Sequence, residues 1–401
     1  MPRPESLAVS ILLTALVSLG PLSTDMYLPS MPALRQVFGA SVPEIQLTLS
    51  VFLAGFAISQ LVYGPLSDRF GRRPVVLGGL MIFAAASTAC SFAPDIEWLV
   101  LGRFFQALGA CCGPVVGRAI VRDIYGPTRA ATMLAYMGTA MGLAPMVAPL
   151  IGGYVTVTFG WQGNFLVLLF IGLVILGGIG TMLSETNKWR DHDALRPATI
   201  IRNSALLLGH GAYLGYVVTA ALVFSGLFAF ISGAAFVLIE VLGVPVAYFG
   251  YAFGAVVIGY MIGAFILARL NHRMGIDRMI LIGSTTCLLA GLALILLLAQ
   301  GIVTVFSVIL PMMIYLMGTG MVLPAAQAGA VGPFPRTAGL ASALLGFIQM
   351  ASAAFTGFMV GVFDNGTAWP MSLTIALMGG LTFAWFRFRV WPRRAENPGA
   401  G

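Results

Sequence analysis

The sequence predicts an all-α integral membrane protein with twelve transmembrane helices in two pseudo-symmetric six-helix bundles. Three observations lead to this fold class: the composition, a series of bilayer-length apolar segments, and an uneven placement of basic residues. The 401 residues are 59% hydrophobic and only 9% charged, whereas a soluble domain carries about 25% charged residues. So few charges cannot cover a surface in water, and most of this surface must therefore face lipid.

The apolar segments give the number of spans. A membrane-spanning helix needs about 20 predominantly apolar residues. Proline, glycine and charged residues divide the chain into twelve such runs, the first of which resembles a signal sequence but is predicted to remain as a helix. The predicted spans are 7–28, 45–66, 75–93, 97–121, 130–156, 162–183, 213–239, 246–268, 279–299, 303–330, 337–362 and 368–388.

The basic residues predict the orientation. If Arg3 is cytoplasmic, alternate connections and the C-terminal tail face the cytoplasm and carry all but three of the 21 basic residues. The exceptions are Arg35 in an outer loop, and Arg103 and Arg118 within the fourth span. This bias predicts cytoplasmic termini and an even number of spans. The net charge of +7 is thus a signal of topology and gives no support to nucleic-acid binding.

The domain division follows from the longest polar stretch, which has six spans on each side. The predicted domains are an N-terminal six-helix bundle (1–183), a cytoplasmic linker (184–212), a C-terminal six-helix bundle (213–390) and a cytoplasmic tail (391–401). An offset of 204 residues places Arg69–Gly71 over Arg273–Gly275 and matches the surrounding spans. We therefore predict an internal repeat, whose second copy has His272 where the first has Asp68.

Five motifs, in order along the chain, resemble those of a known family. They are Thr24–Pro29, GPLSDRFGRRPVVL from Gly64, RFFQALGA from Arg103, the glycine- and proline-rich segment Gly138–Gly153, and FISGAAFVL at 230–238. On these residues the chain resembles the major facilitator superfamily, in particular the drug–proton antiporters of the bicyclomycin and chloramphenicol resistance branch. The resemblance covers nearly the whole chain. It implies twelve helices, alternating access and proton-driven export.

The candidate substrate- and proton-binding residues are Asp25, Tyr27, Arg103 and Gln106. A charged side chain within a span is costly unless it is paired, neutralised or facing water. Asp25 is thus predicted to bind a proton or substrate, the alternative being an interfacial acid. The resemblance implies that Arg103 faces the cavity near the first helix, whereas snorkelling or pairing with Glu97 is the alternative. Val17 stands where some members of the branch carry a further acid.

A second candidate set is predicted to control opening of the cytoplasmic side. It comprises Gly64, Asp68, Arg69, Gly71, Arg72 and Arg73 in the connection between the second and third spans, with Asp123. We expect Gly64 to allow a close helix approach, and Asp68 to meet the positive N-terminus of the eleventh helix near Thr337. The resemblance implies that Arg72 pairs with Asp123. These contacts are expected to form when the cytoplasmic side is shut.

The third candidate set lies in the fifth span. It resembles the antiporter motif of the family and contains Gly138, Gly142, Pro145, Pro149, Gly152 and Gly153. Glycines let helices approach closely and prolines bend them, which predicts a kinked, tightly packed helix where the two halves meet. The resemblance adds a seal against proton leakage. Ordinary transmembrane packing is the alternative reading of any single glycine.

The sequence shows no catalytic machinery. There is no phosphate-binding GxxxxGK[ST] loop, no catalytic serine set and no zinc-ligand spacing. We therefore expect a transporter without cofactors, driven by the proton gradient, that works as a monomer in the bacterial inner membrane and exports small amphipathic drugs such as phenicol- or bicyclomycin-like antibiotics. The alternative is a proton-coupled permease of the same fold for a sugar, amino acid or other polar metabolite. A receptor or membrane enzyme is disfavoured.

Overall fold

The computed structural model describes residues 6–187 and 197–392, which contain helices and no strands. Its α-helices are α1 (Leu7–Asp25), α2 (Met31–Phe38), α3 (Val42–Phe70), α4 (Arg72–Ser91), α5 (Ile96–Ala110), α6 (Arg118–Met182), α7 (Pro197–Gly209), α8 (Gly211–Ala235), α9 (Val246–Met274), α10 (Ile276–Ala299), α11 (Val305–Val331), α12 (Ala338–Val362) and α13 (Trp369–Trp385). Short 3-10 or π segments extend several of them. The all-helical fold class is confirmed.

The long helix α6 contains more than one membrane crossing. Its backbone leaves the helical conformation at Gly126 (φ 64°, ψ 176°) and again at Gly160 (φ 74°, ψ −179°). Only glycine adopts these angles readily, so the sequence itself marks both breaks. The fourth crossing thus runs from α5 into the start of α6, and the fifth and sixth flank Gly160. In the described residues, eleven apolar helices are long enough to span a membrane, and the break at Gly160 makes twelve crossings.

The two bundles are α1–α6 and α8–α13, and their internal contacts repeat. A Cβ atom on Gly55 would lie 3.0 Å from the carbonyl oxygen of Phe104, and one on Gly259 would overlap the carbonyl oxygen of Met313. Gly55 and Gly259 are 204 residues apart, the predicted offset, whereas Phe104 and Met313 are 209 apart. The same close helix crossing therefore occurs in each half, which confirms the pseudo-symmetry.

The halves meet along two seams, α3 against α12 and α6 against α9. We use "inner" for the side that carries the start of α1 and the Gly64–Arg73 segment, here called the signature turn. At the outer side, Arg35 forms a salt bridge of 3.0 Å with Glu240, and Gln46 Nε2 donates a hydrogen bond of 3.3 Å to the Ser232 carbonyl oxygen. Both contacts join the N-terminal half to the C-terminal half and hold the outer ends together.

The fifth crossing packs tightly over its outer part, both within its own half and across the α6–α9 seam. A Cβ on Gly152 would overlap the carbonyl oxygen of Met26 in the same half, and one on Gly153 would lie 2.9 Å from the carbonyl oxygen of Val246 on α9. These two glycines therefore permit the close approach expected of them. The helix also runs through the predicted kink sites, Pro145 and Pro149, without leaving the helical conformation.

The inner part of the same helix face has no neighbour. Residues four apart share a helix face, so Gly138 and Gly142 lie below the tight seam. A Cβ on either would meet nothing within 4 Å, and the same holds for Gly64 on α3. The prediction that these three glycines mediate close packing is wrong for this conformation, because no atom of the described residues lies within 4 Å of a Cβ placed on them.

The helix α7 lies in the predicted linker and packs onto the C-terminal half. Leu207 is buried against Tyr213 of α8 and Leu344 of α12. At the end of α7, the His210 ring contacts Phe334 edge-on with centroids 5.0 Å apart. The later part of the linker is thus attached near the inner end of α12.

Candidate functional site

Arg103 lies at the centre of a buried polar cluster in the N-terminal half. Its side chain is fully buried. Nη1 donates hydrogen bonds to the Ser23 carbonyl oxygen (2.9 Å) and to Gln106 Oε1 (2.6 Å). Gln106 Nε2 in turn donates to Ser87 Oγ (2.9 Å). The alternatives of snorkelling to the surface or pairing with Glu97 are therefore wrong, because the guanidinium points into the bundle toward α1.

Aromatic rings enclose the guanidinium. Its Cζ lies 4.4 Å from the ring centroid of Tyr27, 4.3 Å from that of Phe52 and 5.9 Å from that of Phe165. The Tyr27 hydroxyl shares a 2.7 Å hydrogen bond with Thr48, which fixes the ring. Desolvated cation–π contacts contribute about 2 kcal/mol each, so the rings offset part of the cost of burying the charge. Among the residues that the structure describes, Nε and Nη2 of Arg103 have no hydrogen-bond partner.

Asp25 ends α1 beside this cluster. Its side chain is only 3% exposed, and it follows Ser23, whose carbonyl oxygen accepts from Arg103, by two positions. No salt bridge joins Asp25 to Arg103 in the described residues. Within those residues, Asp25 and Arg103 are the only buried side chains among the Asp, Glu, Lys and Arg residues. The structure thus brings the four candidate residues of this set into one region, with the acid and the base unpaired.

Phe52, Phe165 and Thr48 complete this site but were not identified from the sequence. The chain has 27 phenylalanines, and nothing in the local pattern distinguishes the two that flank the guanidinium. The ordinary expectation for such residues is packing against lipid or a neighbouring helix.

A second polar cluster surrounds Arg72 in the signature turn. Arg72 Nη1 donates to Asp68 and to Ser67 Oγ (2.6 Å), while Nε donates to Asp123 Oδ2 at 3.2 Å. The geometry thus contains the Arg72–Asp123 pair that the resemblance implies. Gly71 has φ 105°, which favours glycine.

The other two basic residues of the turn differ in their surroundings. Arg73 Nη2 donates to the Gly180 carbonyl oxygen at 2.6 Å. Arg69 is exposed and lies over the ring of Phe70. In the described residues, no hydrogen bond or ion pair joins Asp68 to α12, so its expected cross-half contact is not made in this conformation.

Three residues that follow α6 bind the signature turn or its partner Asp123. The Glu185 carboxylate accepts hydrogen bonds from the backbone N–H groups of Arg72 (2.9 Å) and Arg73 (3.1 Å). Thr186 Oγ1 donates to Asp123 Oδ2 at 3.2 Å. Asn187 Nδ2 donates to the carbonyl oxygens of the turn itself. These contacts were not predicted, because the partners lie far apart in sequence, 63 residues for Thr186 and Asp123 and more than a hundred for the others.

The second copy of the turn has different contacts. Asp277 stands at the position equivalent to Arg73 by the 204-residue offset. Its Oδ1 accepts a 2.6 Å hydrogen bond from the Tyr216 hydroxyl of α8.

Over residues 6–187 and 197–392, no group of three His, Cys, Asp or Glu side chains has the arrangement of a metal site.

Comparison with known proteins agrees with this architecture. The sequence profile of the Major Facilitator Superfamily matches residues 13–357. The chain is 33% identical to an uncharacterized MFS-type transporter, YdgK, of Bacillus subtilis, with 94% of this chain and 95% of that protein covered. It is 32% identical to a bicyclomycin resistance protein homolog of Haemophilus influenzae, with 94% of each covered.

The fold matches a solved structure as well. The crystal structure of a D-xylose-proton symporter superposes with a TM-score of 0.76 at 15% identity, covering 94% of this chain and 97% of that one. At this identity the likeness concerns the fold alone. Together with the family profile, the two sequence relatives and the paired six-helix bundles, it leads to one conclusion: the chain belongs to the Major Facilitator Superfamily of membrane transporters.

Proposed function

We propose that the chain exports small amphipathic drugs in exchange for protons, in the manner of an alternating-access antiporter. Membership of the superfamily makes it a transporter rather than an enzyme. The similarity to a protein named as a bicyclomycin resistance protein homolog supports drugs as the cargo. In this proposal the transporter acts as a monomer in the bacterial inner membrane with both termini in the cytoplasm, and the proton gradient drives it without a cofactor.

The observation that carries the proposal is the unpaired arrangement of Asp25 and Arg103. An ionised carboxylate away from water is costly unless a cation or hydrogen-bond donors compensate it. In the present arrangement no salt bridge among the described residues neutralises Asp25, so a bound proton stabilises it. The unpartnered Nε and Nη2 groups of Arg103 are donors that a deprotonated Asp25 can use after a local movement of α1. Binding and loss of the proton therefore favour different arrangements of α1.

This difference is sufficient for coupling. A ligand shifts a conformational equilibrium only by its difference in affinity between the two states. If the proton and the drug favour opposite states, each drives release of the other. The contacts that join the halves at the outer side, and the open space around Gly138 and Gly142 in the described residues, support assigning the present conformation to the state that admits a drug from the inner side.

The test uses purified protein in liposomes with an imposed pH gradient. Chloramphenicol, bicyclomycin, a sugar and an amino acid serve as probes, and Asp25→Asn is compared with Asp364→Asn, which changes an acid in an outer loop. We expect gradient-driven transport of at least one drug by the wild type and by Asp364→Asn. Asp25→Asn should bind that drug but lose the response to the gradient.

Two results would overturn the proposal. Undiminished gradient-driven transport by Asp25→Asn would remove the carboxylate from the coupling mechanism. Transport of the sugar or amino acid with no drug transported would instead identify a permease for polar metabolites.

A further inference from the structure

We propose that Glu185, at the start of the linker, is a positioning residue for the signature turn: it holds the first turn of α4 and thereby aligns Arg72 with Asp68 and Asp123. The proposal rests on the alternating-access part of the proposed function and is independent of the cargo. It assigns a transport role to a residue outside the motif that carries the turn.

The first observation is that α4 cannot cap itself. Its N-cap residue is Gly71, which has no side chain to accept a hydrogen bond from the first turn. The first backbone N–H groups of any helix lack partners within the helix and carry a partial positive charge. Glu185 supplies the missing acceptor, with Oε1 on the N–H of Arg72 and Oε2 on that of Arg73.

The negative charge of this cap also offsets an unfavourable placement of two cations. Arg72 and Arg73 are the first two residues of α4, and cations at a helix N-terminus are unfavourable because the helix dipole is positive there. The repeat supports this reading, since α10 has the acid Asp277 in its own first turn. The N-terminal half keeps two arginines at the same place and obtains its negative charge from Glu185.

The fit between Glu185 and the turn is close. A Cβ atom on Gly71 would lie 2.5 Å from Glu185 Oε2, well inside normal contact distance. Glu185 Oε1 also accepts the N–H groups of Thr186 (3.0 Å) and Asn187 (2.8 Å). One carboxylate thus orders both the start of α4 and the linker residues that bind Asp123 and the carbonyl oxygens of the turn.

The consequence concerns the orientation of Arg72. Its backbone N–H is held by Glu185, while its guanidinium reaches Ser67, Asp68 and Asp123. Without the carboxylate, the first turn of α4 is free to fray and Arg72 loses its fixed starting position. The contact expected between Asp68 and α12, which is not made in this conformation, then forms more slowly when the inner side closes, whereas the region around Arg103 is unchanged.

The test compares Glu185→Ala and Glu185→Gln with Ser184→Ala, a neighbouring exposed linker position. Spin labels on cysteines introduced at Thr132 and Ala328, both exposed near the inner ends of α6 and α11, report closure of the inner side. The four native cysteines are buried and free, so they do not compete for label. The distance is measured in lipid nanodiscs without drug, and kcat and KM are measured in liposomes.

We expect Glu185→Ala to shift the label distances toward the open inner side and to lower kcat roughly tenfold, the scale of a lost helix cap, with KM within about twofold of the wild type. Glu185→Gln should be intermediate, because its amide oxygen still accepts one hydrogen bond. Ser184→Ala should match the wild type. Wild-type distances and kcat in Glu185→Ala, or a raised KM at unchanged kcat, would overturn the proposal.

A second variant distinguishes the capping of α4 by Glu185 from an effect of linker length. It also covers the case in which Glu185→Ala fails to fold. Six Gly and Ser residues inserted between Asn187 and Pro197 lengthen the linker but leave the cap residues in place. We expect wild-type label distances and turnover from this variant. Loss of closure on insertion would show that the linker acts through its length, which would overturn the proposal. Because the label distances are measured without drug, their outcome does not depend on the identity of the cargo or on proton coupling.

Discussion

Arg35 Nη1 lies 3.0 Å from Glu240 Oε2, and this ion pair joins the two halves of the transporter at its outer end. Arg35 belongs to α2, and Glu240 to the π-helical segment that follows α8. Their side chains are 46% and 30% exposed, and an exposed pair contributes only about 0–1 kcal/mol. The pair therefore biases the outer side toward closure without locking it.

Removing this pair should raise the outward-open population. We expect Arg35→Gln to increase it by up to about fivefold, the equivalent of a weak exposed pair. Distances between spin labels at the exposed outer positions Val37 and Ile302 would measure the shift. Glu44→Gln is the matched control, because Glu44 caps its own helix through Ser41. The exchange of charges in Arg35→Glu with Glu240→Arg should restore closure, and failure to restore it would contradict the assignment.

Gradient-driven transport should depend on the planar shape of the Arg103 guanidinium as much as on its charge. Arg103→Lys keeps the cation, but an ammonium cannot reproduce a planar group that stacks between Tyr27 and Phe52 while donating to Ser23. We expect gradient-driven transport to be lost in this variant. Arg103→Met should fold, because Met312 occupies the equivalent position of the repeat and is fully buried. Drug transport coupled to protons in either variant, with thermal unfolding as the check on folding, would argue against a role for Arg103 in coupling.

Two glycines of the fifth crossing should respond differently to the same substitution. Gly152→Ala places a methyl group onto the Met26 carbonyl oxygen, so we expect a large loss of thermal stability. Gly138→Ala meets nothing within 4 Å in this conformation, so its thermal stability should be that of the wild type. If the inner side closes on this face, Gly138→Ala should nevertheless slow turnover. Equal stability losses in the two variants would mean that the fifth crossing does not pack tightly against Met26.

Substitution of Gly71, in the signature turn, should lower both stability and turnover, for two reasons. Gly71→Ala forces a side chain into a backbone conformation with φ 105° and brings a Cβ against Glu185. Gly126→Ala imposes a similar backbone strain at φ 64°, but its Cβ meets nothing within 4 Å. We expect both to lower stability by about 1–3 kcal/mol, and only Gly71→Ala to lower kcat further than its stability loss explains. Parallel unfolding and transport measurements separate the two effects.

Composition predicted the main features of this fold because lipid imposes strong constraints. Every span needs a long apolar run, so the twelve crossings could be counted. The two breaks inside α6 occur at Gly126 and Gly160, each near a predicted boundary between spans. Asp25 and Arg103 were identifiable for the complementary reason: a charge inside an apolar run is costly and therefore conspicuous.

The remaining features depend on distant or state-dependent contacts. The rings of Phe52 and Phe165 resemble any other apolar side chain in a membrane helix. The cap provided by Glu185 joins residues that are 113 positions apart in the sequence. Gly64, Gly138 and Gly142 look like packing residues, but in this conformation nothing packs against them. A glycine pattern shows that a helix face lacks side chains and can be approached closely. It does not show in which conformation another helix packs against that face.

The repeated crossing of Gly55 with Phe104 and of Gly259 with Met313 has a consequence for how such a protein diversifies. Both halves retain the same backbone scaffold, yet Arg103 is matched by Met312 and Asp68 by His272. The same helix crossing is thus built beside a buried charged side chain in one half and beside an apolar one in the other. A substitution at such a position can therefore change the chemistry of a half while its backbone crossing is kept.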